Sequence, residues 1–327
     1  MAQYYIGIDI GGTNVKVGVF DVDMKVVCKS SIPTESHMGA EDVVNRIIEK
    51  TKKLFSNTDA DLESIVGVGI GTPGPADYPA GVLYKLANLP KFHNTPLRDM
   101  IATGLGCGAI MENDANVACW AEFSAGVGKG AESIVLFTLG TGIGGGIVND
   151  GELVTGCEHN AAELGHVIIF PDGRQCNCGQ RGCVEAYASA PSTVARAKEA
   201  IEAGAESSLK TVLQETGEIT CKDLYDHLKS GDNLAKEVTD LTAKSLAIMC
   251  VNMLHVIEPS RIVFSGGVIA AGDVLLDRIK YYFHKHLWKL KTETMEICFA
   301  TLGEDTGIIG AAALAKHANE QGKLIRP

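Results

Sequence analysis

The sequence predicts an α/β chain built from two related halves. Three observations carry that prediction. Apolar strand-like runs that end in glycine turns alternate with amphipathic helical stretches, an order that indicates α/β layers with parallel strand pairing. A strand–turn–strand pattern near the N-terminus returns 128 residues later. And 327 residues, at about 100–200 residues per domain, suit two domains.

The elements follow in order. Tyr4 to Ile10 is an apolar run closed by Gly11-Gly12-Thr13; Val15 to Phe20 is a second run, Asp21-Val22-Asp23 a turn, and Met24 to Lys29 a third strand. Residues 39–55 are helical, with Val43, Val44, Ile47, Ile48 and Leu54 near a period of 3.6. Strands are expected at 65–71 and 108–111, and a helix from Ala115 to Phe123. The second half opens like the first: Gly12 falls on Gly140, Thr13 on Thr141 and Gly18 on Gly146. Helical stretches then cover about 191–204, 205–216, 220–230 and 233–257. Arg261 to Ser265 is a strand ending in Gly266-Gly267 with a helix after it, Ile297 to Thr301 another strand, and Thr306 to Glu320 an Ala-rich helix. One echo at this spacing indicates two halves and not a solenoid, whose period is shorter and recurs. The expected domains are 1–122, joined by a returning helix at 303–321, and a larger 123–302.

Composition excludes several classes. Lys plus Arg is 29 against Asp plus Glu at 40, a net charge of −11, which is wrong for tracking a nucleic-acid backbone or an anionic membrane. No stretch approaches the ~18 apolar residues of a membrane helix, and no basic, apolar leader opens the chain. A cytoplasmic protein with mostly reduced, buried thiols is expected. Glycine, at 37 residues, is in excess and is expected in turns and where backbone meets ligand closely.

Two glycine turns carry chemistry. Asp9 lies inside an apolar strand, where a charge is costly unless paired, just before Gly11-Gly12-Thr13. A phosphate-bound magnesium would supply the partner, and the turn offers N–H groups and a hydroxyl to phosphate oxygens; a bare hairpin turn beside a stray acid is the alternative. The second turn, with Gly140 and Thr141, favours a pair that clamps a triphosphate from two sides of a cleft. Gly140-x-Gly142-x-x-Gly145 satisfies a dinucleotide pattern but leads into a strand instead of a helix, so that reading is poor. Gly266 and Gly267 suit either the flat face of a base or ribose, or close helix–strand packing.

Asp114, in Glu112-Asn113-Asp114-Ala115-Asn116, fits two roles: N-cap of the following helix, or a general base at the strand-end crevice where α/β proteins bind ligands. Asn113 and Asn88 are short amides suited to polyol hydroxyls, or turn residues. Cys176-x-Cys178-x4-Cys183, with His166 ten residues before, supplies three thiolates and one imidazole for a closed, structural zinc site; a disulfide is the alternative, disfavoured in a reducing compartment. Glu163 and Glu185 flank that cluster, and two acids with an imidazole N–H suit a sugar; two solvated surface acids are the alternative.

Together these segments resemble the ROK family of sugar kinases (repressor, open reading frame, kinase). IGIDIGGT, GTPGP, ENDAN, TLGTGIGGGI, ELGH and CNCGQRGCVE occur in the family's order, and the resemblance runs from Ile6 to about Ala315. It implies a two-lobed actin-like, ribonuclease-H-like ATPase fold with a small structural zinc loop. It implies Asp114 as catalytic base and Asn88, Asn113, Glu163, His166 and Glu185 as sugar ligands. Gly11, Gly12, Thr13, Gly140 and Thr141 would contact phosphates, Gly266 and Gly267 the adenosine, and Asp9 the magnesium. His166, Cys176, Cys178 and Cys183 would hold Zn2+. The implied activity is ATP- and Mg2+-dependent phosphorylation of a hexose 6-hydroxyl, glucose first, with N-acetylglucosamine, N-acetylmannosamine, fructose or allose as alternatives. The family's sugar-responsive repressors carry a helix-turn-helix for which the first strand, at Tyr4, leaves no room. The expected partners are a sugar and ATP, without nucleic acid or membrane, in a homodimer or homotetramer. Against a net charge of −11, ATP must be held locally, by magnesium and the N–H groups of the two Gly-Thr turns.

Overall fold

The computed structural model describes residues 3–56, 58, 60–85, 89–288 and 295–326. The chain forms two compact units, Met1–Gly130 with Thr155–Ala161 and Thr301–Pro327, and Ala131–Val154 with Ala162–Ala300.

The first unit begins with a meander of three strands. β1 (Tyr4–Ile10) pairs antiparallel with β2 (Asn14–Asp21), setting Gly7 opposite Gly18 and Asp9 opposite Lys16, and β3 (Val26–Pro33) pairs with β2. The turn before β3 runs longer than the sequence suggests. Asp21 Oδ1 accepts the N–H groups of Asp23 and Lys25, and Met24 takes φ 62°, so extended pairing resumes only at Val26. α1 (Ala40–Phe55) buries Val43, Val44, Ile47, Leu54 and Phe55, the stripe that the 3.6-residue period marks out. β4 (Ile65–Thr72) lies parallel to β1, a small hairpin of β5 (Ala76–Asp77) and β6 (Val82–Leu83) follows, and α2 (Leu97–Leu105) leads to β7 (Gly108–Asn113), parallel to β4. α3 (Asp114–Ser124) follows without an intervening loop. The sheet order is β3-β2-β1-β4-β7.

The second unit repeats this plan. β8 (Ile134–Leu139), β9 (Ile143–Asn149) and β10 (Glu152–Leu153) form the meander. After α4 (Glu185–Ala188) come α5 (Ala190–Glu202), α6 (Leu209–Thr216), α7 (Cys221–Lys229) and the long α8 (Asn233–Val256). β11 (Arg261–Ser265), α9 (Asp273–His286) and β12 (Glu296–Phe299) complete the unit. The order β10-β9-β8-β11-β12, with β11 parallel to both β8 and β12, matches the first sheet strand for strand. The echo read from two turns therefore extends to a whole five-stranded mixed sheet. Local capping places the helices: Thr220 and Asp223 form a capping box on α7, and Asp232 accepts the Ala235 N–H at the start of α8.

The chain then returns to the first unit as α10 (Thr306–Glu320), which packs on β1, β4 and α3. The fit is backbone to backbone. A Cβ at Gly7 would lie 1.9 Å from the Ile308 carbonyl oxygen, and one at Gly69 1.8 Å from that of Ala311. Part of the glycine excess thus serves helix–sheet contact and not ligand turns. Ala311, Ala312 and Ala315 keep the facing helix equally thin. Among the described residues no helix is long and apolar enough to cross a membrane.

Candidate active site

In the first unit the carboxyl ends of the adjacent parallel strands β1, β4 and β7 gather two acids from distant parts of the sequence. Asp9 sits one residue from the end of β1, and Asp114 directly follows β7. Burial, with the like charge of Asp114 behind it, pushes the Asp9 carboxyl up to about 6, and Lys16 opposite pulls partly back. Gly307, at the start of α10, leaves room for it: a Cβ there would lie 2.4 Å from an Asp9 carboxyl oxygen. Lys16 donates to the Glu304 carbonyl at 2.7 Å, so its charge is tied beside the site. The neighbouring turn leaves Gly12 and Thr13 exposed, with Gly11 half-buried and closed by its N–H to the Asn14 carbonyl at 3.0 Å.

Asp114 is not the N-cap. Asn113 takes that place, with φ −61° and ψ 143°, and its Oδ1 accepts the N–H groups of Ala115 at 2.9 Å and Asn116 at 3.3 Å. A helix entered directly from a strand needs its cap on the last extended residue, which is Asn113. Asp114 is instead the first helical residue, exposed, with Oδ1 accepting the Ala115 N–H at 2.8 Å. Desolvation by the surrounding protein raises its pKa, and the backbone N–H groups of Ala115 and of Asp114 itself partly offset this. Asn113 Nδ2 donates to the Tyr78 hydroxyl at 3.3 Å. Asn88 lies outside the described residues.

In the second unit the ligand atoms of His166, Cys176, Cys178 and Cys183 all lie within 4.8 Å of one another. Cys178 Sγ and Cys183 Sγ are 3.7 Å apart, and Cys176 Sγ is 3.8 Å from His166 Nδ1. A tetrahedron with metal–sulfur bonds of ~2.3 Å has sulfur–sulfur edges of about 3.8 Å, so the donor set fits zinc. Without metal, burial pushes the Cys183 thiol up to about 12 and raises Cys176, whereas the Gln180 backbone N–H brings Cys178 down to about 7. A metal bound by this group would therefore displace protons. Glu185, two residues beyond Cys183, reaches back to the glycine turn, where its Oε2 accepts the Ile143 N–H at 2.8 Å. A Cβ at Gly142 would stand 2.6 Å from that oxygen. The cluster and the Gly140-Thr141 turn are thereby one assembly, with Thr141 and Glu163 exposed and His166 half-buried.

Gly266, at φ 90°, closes the end of β11 against the Leu139 carbonyl, and Gly267 is exposed beside it. Next to Gly267 is a cavity of about 260 Å³ walled by Cys221, Tyr225, Val268 and Ala271, with Lys222 and Lys229 also lining it. Sequence reasoning missed these α7 residues. The available signal was Cys221, Tyr225 and Lys229 at helical spacing, which reads equally well as a core-facing stripe.

A family model described as "ROK family" matches residues 5–318. The chain belongs to the ROK family. A glucokinase of Thermotoga maritima is 36% identical over 95% of this chain and 97% of its own, and the glucokinase of Halalkalibacterium halodurans 34% over 96% of each. Among solved structures, the ROK hexokinase from Thermus thermophilus superposes with a TM-score of 0.86 at 29% identity, over 98% of this chain and 100% of that one. The ROK glucokinase from Streptomyces griseus, solved with glucose and AMPPNP, gives 0.75 at 31% identity over 96% and 100%. The paired mixed sheets agree with the actin-like architecture that the ROK motifs imply.

Proposed function

We propose that this ROK protein transfers the γ-phosphoryl group of ATP to the 6-hydroxyl of a hexose, and that glucose is the preferred acceptor. The observation that carries the reading is Asp114: an exposed carboxylate at the end of β7, fixed through one oxygen by the Ala115 N–H, with a raised pKa. A carboxylate so placed accepts the hydroxyl proton as the oxygen attacks phosphorus. The glucokinase relatives over nearly the whole chain support glucose.

The other roles follow from charge and geometry. Magnesium enters with the nucleotide as part of the substrate and neutralises phosphate charge; Asp9 faces it through water or directly. The turns at Gly11-Gly12-Thr13 and Gly140-Thr141 donate N–H groups and hydroxyls to phosphate oxygens. Gly266 and Gly267 admit the adenosine, and the cavity walled by Cys221 and Tyr225 receives the base. Asn113, Glu163, His166 and Glu185 bind the sugar hydroxyls, and Asn88 is a further sugar ligand. Zinc on His166, Cys176, Cys178 and Cys183 supplies a structural crosslink that orients His166 and the loop carrying Glu185. Positioning and charge neutralisation do most of the catalytic work.

The test is ADP release, coupled to a spectrophotometric readout, across glucose, mannose, fructose, allose, N-acetylglucosamine and N-acetylmannosamine, with and without magnesium. Magnesium-dependent turnover with the highest kcat/KM on glucose is expected. A higher kcat/KM on an N-acetylhexosamine overturns the choice of sugar, and no ADP release with any of them overturns the reaction.

A further inference from the structure

A strand that runs straight into a helix at the edge of a sheet leaves its last N–H groups without strand partners. β7 is that strand: it stands last in the sheet order, with β4 on one side only. Near its start, Ala109 exchanges hydrogen bonds with Ile325 at 2.8 and 3.2 Å. At its end a side chain does the equivalent work. Glu112 Oε1 accepts the Asn113 N–H at 2.8 Å and Asn116 Nδ2 at 2.9 Å.

This is an expensive place for an acid. Glu112 is only 8% exposed, and burial raises its pKa, with the Asn116 and Asn113 hydrogen bonds and the charge of His159 pulling the other way. Tyr78, Arg98, His159 and Lys323 share with it the lining of a cavity of about 260 Å³. Asn116, also buried, has no partner for its Oδ1 among the described residues while its Nδ2 serves Glu112. A buried acid and a half-satisfied buried amide are thus both spent on one five-residue turn. That turn carries Asp114. Asn113 cannot swing, because its N–H is held by Glu112, its Oδ1 by two helix N–H groups and its Nδ2 by the Tyr78 hydroxyl.

We infer that Glu112 is a positioning residue for phosphoryl transfer: by accepting from the Asn113 backbone and the Asn116 amide it locks the strand-to-helix turn that presents Asp114. The inference rests on the reading of Asp114 as the base. Glu112 works as an acceptor and not as a charge, so an amide oxygen at the same place serves as well.

Two variants test it by kcat and KM for glucose and ATP, by the acid limb of the kcat–pH profile, and by exchange of the Asn113 amide. Glu112→Ala is expected to lower kcat about 10–100-fold with both KM values within about 3-fold, since a displacement near 1 Å costs up to about 100-fold. Glu112→Gln is expected to restore kcat to within about 3-fold of wild type with the acid limb unmoved. A kcat for Glu112→Ala within about 3-fold of wild type overturns the inference. So does a Glu112→Gln variant as slow as Glu112→Ala, or one whose acid limb moves. If Glu112→Ala does not fold, Asn116→Ala decides: a kcat about 3–10-fold lower at unchanged KM supports the inference, and an unchanged kcat overturns it. Amide exchange separates this question from the reaction itself. Even with no sugar turned over, the Asn113 N–H is expected to be at least about 10-fold better protected in wild type and Glu112→Gln than in Glu112→Ala, and equal protection in all three overturns the lock.

Discussion

Asp9→Asn is expected to make the ligand-free protein more stable at pH 7.5. Asp9 is half-buried on β1, and its carboxyl is pushed from an ordinary 3.8 to about 6, first by burial and then by Asp114. Each pH unit is worth about 1.4 kcal/mol, so the ionised group costs the fold about 3 kcal/mol at pH 7.5. The folded pKa lies above the unfolded one. The cost is therefore absent below about pH 4, grows as pH rises through the interval up to about 6, and is complete above it. Urea denaturation at pH 7.5 should show the asparagine variant ahead by up to about 3 kcal/mol, and the difference should vanish near pH 4. MgATP should reverse the ranking at pH 7.5, because only wild type gains the full binding stabilisation. A variant less stable than wild type at pH 7.5, or an advantage equal at both pH values, would refute the reasoning that a strained acid is kept in place for its metal.

Further expectations concern other parts of the molecule. Asp114→Asn should keep fold and glucose affinity while kcat falls at least ~10²-fold, and near-normal turnover would remove Asp114 from the mechanism. The acid limb of kcat/KM should reflect raised carboxylates, with activity lost as pH falls through about 6, where Asp9 takes up its proton; full activity at pH 5 would contradict it. Cys178→Ser should lose bound zinc and glucose affinity together, read by metal analysis and calorimetry; tight glucose binding by the metal-free variant would break that link. Glu122 is fully buried and accepts the N–H groups of Val127, Thr301 and Leu302, each at 2.9 Å, and the Thr301 hydroxyl at 3.2 Å. Its replacement by alanine orphans those donors and should cost about 3–5 kcal/mol, so an unchanged urea midpoint would rule out that account.

Much of the architecture was legible because it is local. The bounds of α10 and β11 coincide with the expected 306–320 and 261–265, since caps, glycine stops and apolar period all lie within those segments. The metal group was legible for the same reason: four ligands within 18 residues carry their own spacing. α2 was not seen. It is nine residues long, interrupted by Gly104 and preceded by Pro96, and so offers little more than two turns of periodicity. Of the two roles open to Asp114, the structure removes the N-cap: Asn113 and Asp114 are equally good capping types, and only the φ and ψ of the strand end distinguish them.

By itself the sequence determined the alternation of elements, the internal echo, the Cys/His group that could hold a metal ion and the residue types available for phosphoryl transfer. All of these are readable within one or two turns of chain. Only the tertiary structure decided which of those residues meet. Asp9 and Asp114 share an edge because β1, β4 and β7 are neighbours in the sheet, and that proximity raises the Asp9 pKa. Gly7 and Gly69 are glycines because α10 returns from the far end of the chain to lie on their backbone. Glu112 is more than one acid in a motif because the edge position of β7 leaves the Asn113 N–H to be satisfied by its side chain. Periodicity records which way a side chain faces along its own element. It does not record what stands opposite, and burial, pKa and close packing all depend on what stands opposite.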